Sequence, residues 1–203
     1  MNTIKVKEAL NRFFLEDIGE RDVTSQLIFP DNLLSKGTFL AKDTGVFAGR
    51  LVIEEGFKLI DERIKVELHK KDGDLVEKGE IIATVQGPIA SLLTAERVIL
   101  NVIQRMSGIA TMTHKAVFAL DSSHTRICDT RKTMPGLRMF DNRTPDEIRE
   151  FSKIVPSAIV TEASGGITIE DLSKYGKTGV DYISLGALTH SVKALDISFN
   201  IEA

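Results

Sequence analysis

The sequence predicts an α/β fold in two parts. After Ser122, short apolar strands alternate with helical segments, the pattern of parallel strands joined by right-handed crossovers. Before that point, amphipathic helices flank strands set around the glycine turns Asp72-Gly73 and Lys78-Gly79. Between the two parts, Thr125-Arg126-Ile127-Cys128 opens into Asp129-Thr130-Arg131-Lys132-Thr133. Two cations, two hydroxyls and a carboxylate thus stand at a strand end, where α/β folds collect ligand-binding groups. Arg131 offers a flat fork for carboxylate or phosphate and Lys132 a compact charge, so the expected ligand is small and anionic.

Taken in order, Val6, Leu10, Phe13 and Phe14 recur at helical spacing and predict a helix over residues 3–16. Glu16 to Ser25 reads as a polar turn region. Residues 36–48 read as strand, and Leu51 to Leu59 as helix. Ile64–Leu68 and Ile81–Val85 read as strands, closed by Gly87-Pro88. Leu92, Leu93, Val98, Ile99, Val102 and Ile103 predict a long helix that Ser107-Gly108 breaks, with a second helix over 109–120. Further strands end at Asp129, Phe140-Asp141, Glu162-Ala163-Ser164 and Ser184-Leu185-Gly186, with helices near 145–154 and 168–175.

The 203 residues allow one or two domains. A net charge of −3 implies no bulk attraction to nucleic acid or to an anionic membrane. Cys128 is the sole cysteine, so no intrachain disulfide is possible and nothing argues for an oxidising compartment. The first residues lack an apolar leader region and no run of 18 apolar residues occurs, which places the expected protein in the cytoplasm.

Val160 to Thr168 reads as strand, Gly165-Gly166 turn and helix start. Paired glycines let backbone N–H groups approach an anion, or else serve a tight turn that needs positive φ. Tyr182 to Thr189, with Ser184 and Gly186, repeats the design one unit later, and adjacent strand-end glycine loops are how barrel enzymes hold phosphate. Asp141 ends a strand, where a carboxylate can hold Mg²⁺ or a ribose hydroxyl. The bland reading is a helix cap, since Asp141, Asn142 and Thr144 are all capping types before Pro145. Arg97, within an apolar helix, reads first as a solvated face or structural ion pair. The four histidines lack metal-site spacing. Residues 69–87 read as half of a lipoyl-type hammerhead, without a modifiable lysine at a hairpin tip, and so as scaffold.

Barrel arithmetic adds a constraint. A closed eight-stranded barrel takes roughly 200–250 residues at about 30 per βαβ unit. The stretch from Ser123 to Ala203 supplies about three or four units, so either the sheet is open or part of a barrel is absent.

Several stretches together resemble quinolinate phosphoribosyltransferases. They are Leu15–Gly19 with Asp22–Ser25, the hammerhead at 72–87, Ala95–Asn101, Ser107–Thr111, Cys128–Arg138, Phe140–Asn142, Thr161–Ile167 and Ile183–Ser191. The resemblance implies an N-terminal α/β sandwich of hammerhead type over 1–108 and an incomplete α/β barrel over 109–203. It implies transfer of phosphoribose from phosphoribosyl pyrophosphate to quinolinate with loss of CO₂, using Mg²⁺ and no organic cofactor, in a homodimer or higher homo-oligomer. Arg97 would reach the neighbouring subunit's site. Thr130, Arg131 and Lys132 would bind substrate, with Arg131, Lys132 and Asp141 catalytic and Asp141 on the metal side. Ser164, Gly165, Gly166, Ser184 and Gly186 would cradle phosphate.

The family pattern continues after Arg138 with basic and acidic strand ends that this chain lacks, because Met139 runs directly into Phe140-Asp141-Asn142. An internal deletion near 138–140 is therefore expected, with impaired turnover. Two alternatives stay open: a non-catalytic remnant that binds phosphate or dimerises with a full-length homologue, and a phosphoribosyltransferase for another heteroaromatic acid.

Overall fold

A computed structural model of the chain describes residues 2–19, 28–30, 32–128 and 138–202. The chain divides into two compact units, Met1–Thr111 with Lys193–Ala203, and Met112–Val192.

The first unit opens with helix α1 (Thr3–Ile18). The Asn2 side chain accepts from the Ile4 and Lys5 N–H groups at its start, and Gly19, at φ 62°, ends it. Strands β1 (Leu34–Ala41), β3 (Lys65–Leu68), β5 (Ile81–Pro88) and β10 (Ile197–Ile201) form an antiparallel sheet in the order β10-β1-β5-β3. The short pair β2 (Gly45–Val46) and β4 (Leu75–Val76) makes a second ladder. Helix α2 (Arg50–Ile60) starts at Gly49, which has no capping side chain of its own. Asp72, on the hairpin, supplies the cap by accepting from the Gly49 and Arg50 N–H groups at 2.7 and 2.9 Å. The hammerhead turn read from the sequence thus also closes the start of a helix.

Phe39, Phe57 and Phe199 meet in the core of this unit with ring centroids 4.6 to 6.1 Å apart. Phe199 lies on β10, so the last eleven residues fold with the first unit. The sequence alone places them with the second domain, 109–203. The alternating Ile197, Phe199 and Ile201 present an apolar face only when the strand pairs with β1, a contact spanning nearly the whole chain.

Helix α3 runs unbroken from Ile89 to Leu120, which corrects the predicted break at Ser107-Gly108. These small residues serve packing. The buried Ser107 hydroxyl accepts from the Ala48 N–H at 3.0 Å and lies 3.2 Å from the Ala48 carbonyl, while Thr111 Oγ1 accepts from the Val46 N–H at 2.8 Å. A Cβ at Gly108 would collide with the Lys193 carbonyl oxygen. The residues that look like a helix breaker are the strip on which the backbone around 46–48 and 193 is seated.

The second unit is a four-stranded, wholly parallel sheet in the order β6-β9-β8-β7, from β6 (Arg126–Cys128), β7 (Arg138–Asp141), β8 (Thr161–Ser164) and β9 (Tyr182–Ser184). Helix α4 (Pro145–Ser152) joins β7 to β8, and the single turns α5 (Leu172–Tyr175) and α6 (Ala187–His190) follow β8 and β9. Ala163, Ile183, Ile148, Leu172, Ala116 and Leu120 form its core. The first strand, β6, pairs with the last, β9, as happens when a sheet curls into a barrel. Strands β6 and β7 are consecutive in the chain yet lie at opposite edges of the sheet. They are joined by residues 129–137 alone, fewer than the dozen or so that a parallel crossover takes.

Candidate functional site

The four strands end together. Asp141 is in register with Ser164, and Cys128 with Ser184, so β7, β8, β9 and β6 align their C-terminal residues along one edge. This is the end of a parallel sheet where ligands bind in barrel folds.

The turn after β8 is built around glycine. Gly165 and Gly166 have φ of 92° and 63°, a region that L side chains rarely adopt. A Cβ on Gly165 would stand 2.8 Å from the Asn142 backbone nitrogen and closer still to its side chain. Asn142, itself at φ 53°, donates its N–H to the Ser164 carbonyl at 2.8 Å. The turn after β7 is therefore locked against the turn after β8. The second loop differs from expectation: Gly186 has φ −60° and ψ −33°, an ordinary helical conformation at the start of the four-residue α6. Nothing in its backbone requires glycine, so the two loops are not one design repeated. Ser164 is partly exposed and Ser184 is buried.

The capping alternative for Asp141 is resolved. Thr144 caps α4: its Oγ1 accepts from the Glu147 N–H, and Glu147 accepts from the Thr144 N–H at 2.8 Å in a reciprocal capping box. Asp141 instead closes β7.

Glu162 carries no motif in the sequence that singles it out. It is 3% exposed, and its Oε1 has no hydrogen-bond partner among the described residues. Ala163 belongs to the helix-side core, so by strand alternation Glu162 lies on the opposite, barrel-interior side with Ser164. A buried carboxylate oxygen without a partner is costly, which makes Glu162 a candidate for a contact to ligand, ion or water. The available signal was a glutamate inside a short strand flanked by apolar residues, Ile159-Val160-Thr161-Glu162-Ala163.

Arg97 stands on α3 with its side chain 73% exposed and pairs with Asp17 of α1 at 3.1 Å. It is far from buried, so its position on the helix costs little. Its neighbour Glu96 is half-buried, and burial pushes its carboxyl above the usual range, against the lowering effect of Arg97. Thr130, Arg131 and Lys132 lie outside the described residues, and the structure describes the backbone of Asp141 only. The described residues contain no group of three or more His, Cys, Asp or Glu poised as a metal cage. No helix among them is long and apolar enough to cross a membrane.

The opposite end of the sheet has a different character. Asp181 Oδ2 accepts from the Thr161 N–H at 2.8 Å and from its hydroxyl at 2.9 Å, and Oδ1 lies 3.2 Å from His124 Nε2. The Thr161 N–H holds the Asp181 carboxyl below the usual range, with the Thr161 hydroxyl and His124 adding to the effect against burial.

Comparison with known proteins agrees with this geometry. The family profile for the quinolinate phosphoribosyl transferase N-terminal domain matches residues 22–107. The profile for the C-terminal domain of the same family matches 109–144 and again 138–200. The second match comes in two pieces that overlap over residues 138–144, a stretch that includes β7. The chain is 42% identical to the probable nicotinate-nucleotide pyrophosphorylase (carboxylating) of Bacillus subtilis (strain 168), over 275 aligned positions covering 99% of this chain and 95% of that protein. Since 275 positions exceed the chain's 203 residues, the alignment must skip a long segment of the relative. The chloroplastic nicotinate-nucleotide pyrophosphorylase (carboxylating) of Oryza sativa subsp. japonica is 32% identical, covering 98% of this chain and 78% of that protein. The crystal structure of NadC from Streptococcus pyogenes superposes with a TM-score of 0.91 at 26% identity, covering 98% of this chain and 97% of that one. With both family profiles matched in order across nearly its whole length, the chain belongs to the quinolinate phosphoribosyl transferase family, as a member whose barrel is shortened between β6 and β7.

Proposed function

We propose that this chain acts in the family's reaction with its phosphoribosyl-binding end intact and its turnover impaired. By family it is a pentosyltransferase of NAD biosynthesis, a nicotinate-nucleotide pyrophosphorylase (carboxylating). The reaction joins quinolinate to phosphoribosyl pyrophosphate, releasing pyrophosphate and CO₂. The observation that carries the reading is the strand-end edge itself: a positive-φ glycine turn and the ends of four strands meet there, with Glu162, whose buried oxygen has no partner among the described residues, two residues before the end of β8.

The division of labour follows from position. The Gly165-Gly166 turn exposes backbone N–H groups to a phosphate, with the Ser164 hydroxyl beside them. Ser184 and Gly186 continue that wall from β9. Glu162 and Asp141 serve the ribose side. The donor set fits Mg²⁺, which takes one or two carboxylates and completes its shell with substrate phosphates and water. When bound it would neutralise charge building on the departing pyrophosphate. Arg131 and Lys132 pair with the carboxylates of quinolinate, and Arg97 reaches the partner's site in a homodimer. Catalysis of this kind rests on positioning and on electrostatic stabilisation of a cation-like ribose and an anionic leaving group. The absent strands would carry further cations for the acid, and each lost charge-assisted contact costs about 1.5–3 kcal/mol. Quinolinate affinity therefore suffers more than phosphoribosyl affinity. The cytoplasm is the proposed setting.

Calorimetric titration of phosphoribosyl pyrophosphate with Mg²⁺, then of quinolinate, tests the order. The expected result is measurable binding of the first and weak binding of the second. Tight quinolinate binding with no detectable phosphoribosyl binding would contradict the reading.

A further inference from the structure

We propose that Asp17 is a positioning residue for Arg97: its carboxylate orients the guanidinium so that the rest of the fork takes a carboxylate of quinolinate in the partner's site. This rests on the reading of Arg97 given above and adds the group that holds it.

The placement of Asp17 is not explained by its own helix. It lies in the last turn of α1 (Thr3–Ile18), a turn with no basic residue. The negative end of the helix dipole disfavours a carboxylate, and aspartate is a weak helix former. The cation that meets it comes from another element, 80 residues along the chain: Arg97 Nη1 on α3 donates to Asp17 Oδ1 at 3.1 Å. Glu96 precedes Arg97 directly on α3, where successive side chains do not face each other, so the orienting carboxylate is the one from α1. The Asp17 side chain is 24% exposed and that of Arg97 73%, so the carboxylate is the sheltered member and the guanidinium the projecting one. An exposed pair of this kind adds little to stability, and no part of the site described above uses the Leu15–Gly19 stretch.

The form of the contact separates an orienting partner from a competing one. Arg63 gives both Nε and Nη2 to Asp61, the closed fork of a structural pair. Arg97 meets Asp17 through Nη1 alone. A guanidinium carries donors on three nitrogens, so one fork can join two carboxylates, one protein and one ligand. A long exposed arginine otherwise samples many rotamers and must give them up on binding. Holding one nitrogen beforehand removes part of that cost.

The test measures quinolinate KM and kcat at saturating phosphoribosyl pyrophosphate with Mg²⁺, in the chain with its absent segment restored from the Bacillus relative. Calorimetric titration of quinolinate into the natural chain makes the same comparison without turnover. Arg97→Ala and Asp17→Ala should each weaken quinolinate, the second by about threefold or more. Asp17→Glu, which keeps the charge, should recover most of the loss, and Asp17→Asn should not. The double variant should be no worse than Arg97→Ala alone, because Asp17 acts through Arg97. KM for phosphoribosyl pyrophosphate and the thermal unfolding midpoint should stay unchanged, whereas a structural role would move the midpoint. Unchanged or tighter quinolinate binding in Asp17→Ala, beside a loss in Arg97→Ala, overturns the proposal and leaves the role of Arg97 standing. No loss in Arg97→Ala overturns that role and the proposal with it.

Discussion

The two ends of the parallel sheet are made of similar residues and differ in whether those residues are satisfied. At the N-terminal end, Asp181 spends both carboxylate oxygens on Thr161 and His124, and the Thr125 hydroxyl donates to the Val180 carbonyl at 2.8 Å. At the C-terminal end, two successive glycines hold positive φ, while between the two ends Glu162, in register with Tyr182, has a buried oxygen with no partner among the described residues. One end is finished as structure, and the other holds backbone strain at Gly165 and Gly166. Barrel folds place stability at the first end and chemistry at the second, and this shortened sheet preserves the distinction.

The largest effect is expected from Gly165→Ala. It forces a side chain into positive φ and into Asn142, so a loss of about 1–3 kcal/mol is expected together with phosphoribosyl pyrophosphate binding. Thermal unfolding with a parallel titration checks it, and a variant as stable as the parent would show that the turn is not strained.

Asp181→Ala probes the other end. It strands the buried Thr161 N–H, costing about 1–2 kcal/mol, and should leave ligand affinity unchanged. The pH dependence has a definite sign. The folded carboxyl titrates below its unfolded value, so its contribution is complete above the unfolded pKa and disappears as pH falls through the folded one. Denaturant midpoints should therefore drop more steeply below about pH 4 in the natural chain than in Asp181→Asn. Parallel profiles would remove Asp181 from the account.

Glu162→Gln should invert the Asp181 result. Replacing the carboxyl by an amide of the same shape leaves stability within about 1 kcal/mol, while affinity for phosphoribosyl pyrophosphate with Mg²⁺ falls tenfold or more. Unchanged affinity would make Glu162 a structural residue. The smallest change in stability belongs to Arg97→Ala, since the exposed pair with Asp17 contributes about 0–1 kcal/mol. In a chain with the segment restored, mixing Arg97→Ala with Arg131→Ala should recover activity if Arg97 acts across the dimer. No recovery between exchanging dimers would count against sharing.

Much of this architecture is legible in the chain itself. Periodicity marks α1 and α2, the turns at Gly73 and Gly79 mark the hammerhead, and strand-helix alternation marks the parallel sheet. Chain length alone shows that the barrel is short. What escapes is long-range. Nothing near Ile197–Ile201 says that it pairs with β1, and Ser107-Gly108 looks like a break because its purpose lies in residues 46–48 and 193. Gly165 and Gly186 look alike in sequence, yet only the first has a backbone that demands glycine. Glu162 is readable as a strand residue, but that its buried oxygen lacks a partner among the described residues emerges only once its neighbours are placed.

The central claim is that a family enzyme has kept its phosphoribosyl-binding end while losing the strands that complete catalysis. Its most direct test is quinolinate-dependent formation of nicotinate mononucleotide, measured for this chain and for one with the absent segment restored from the Bacillus relative. Two lost charge-assisted contacts correspond to about 100-fold or more, so the restored chain should turn over at least that much faster. Equal turnover by the two would contradict the account.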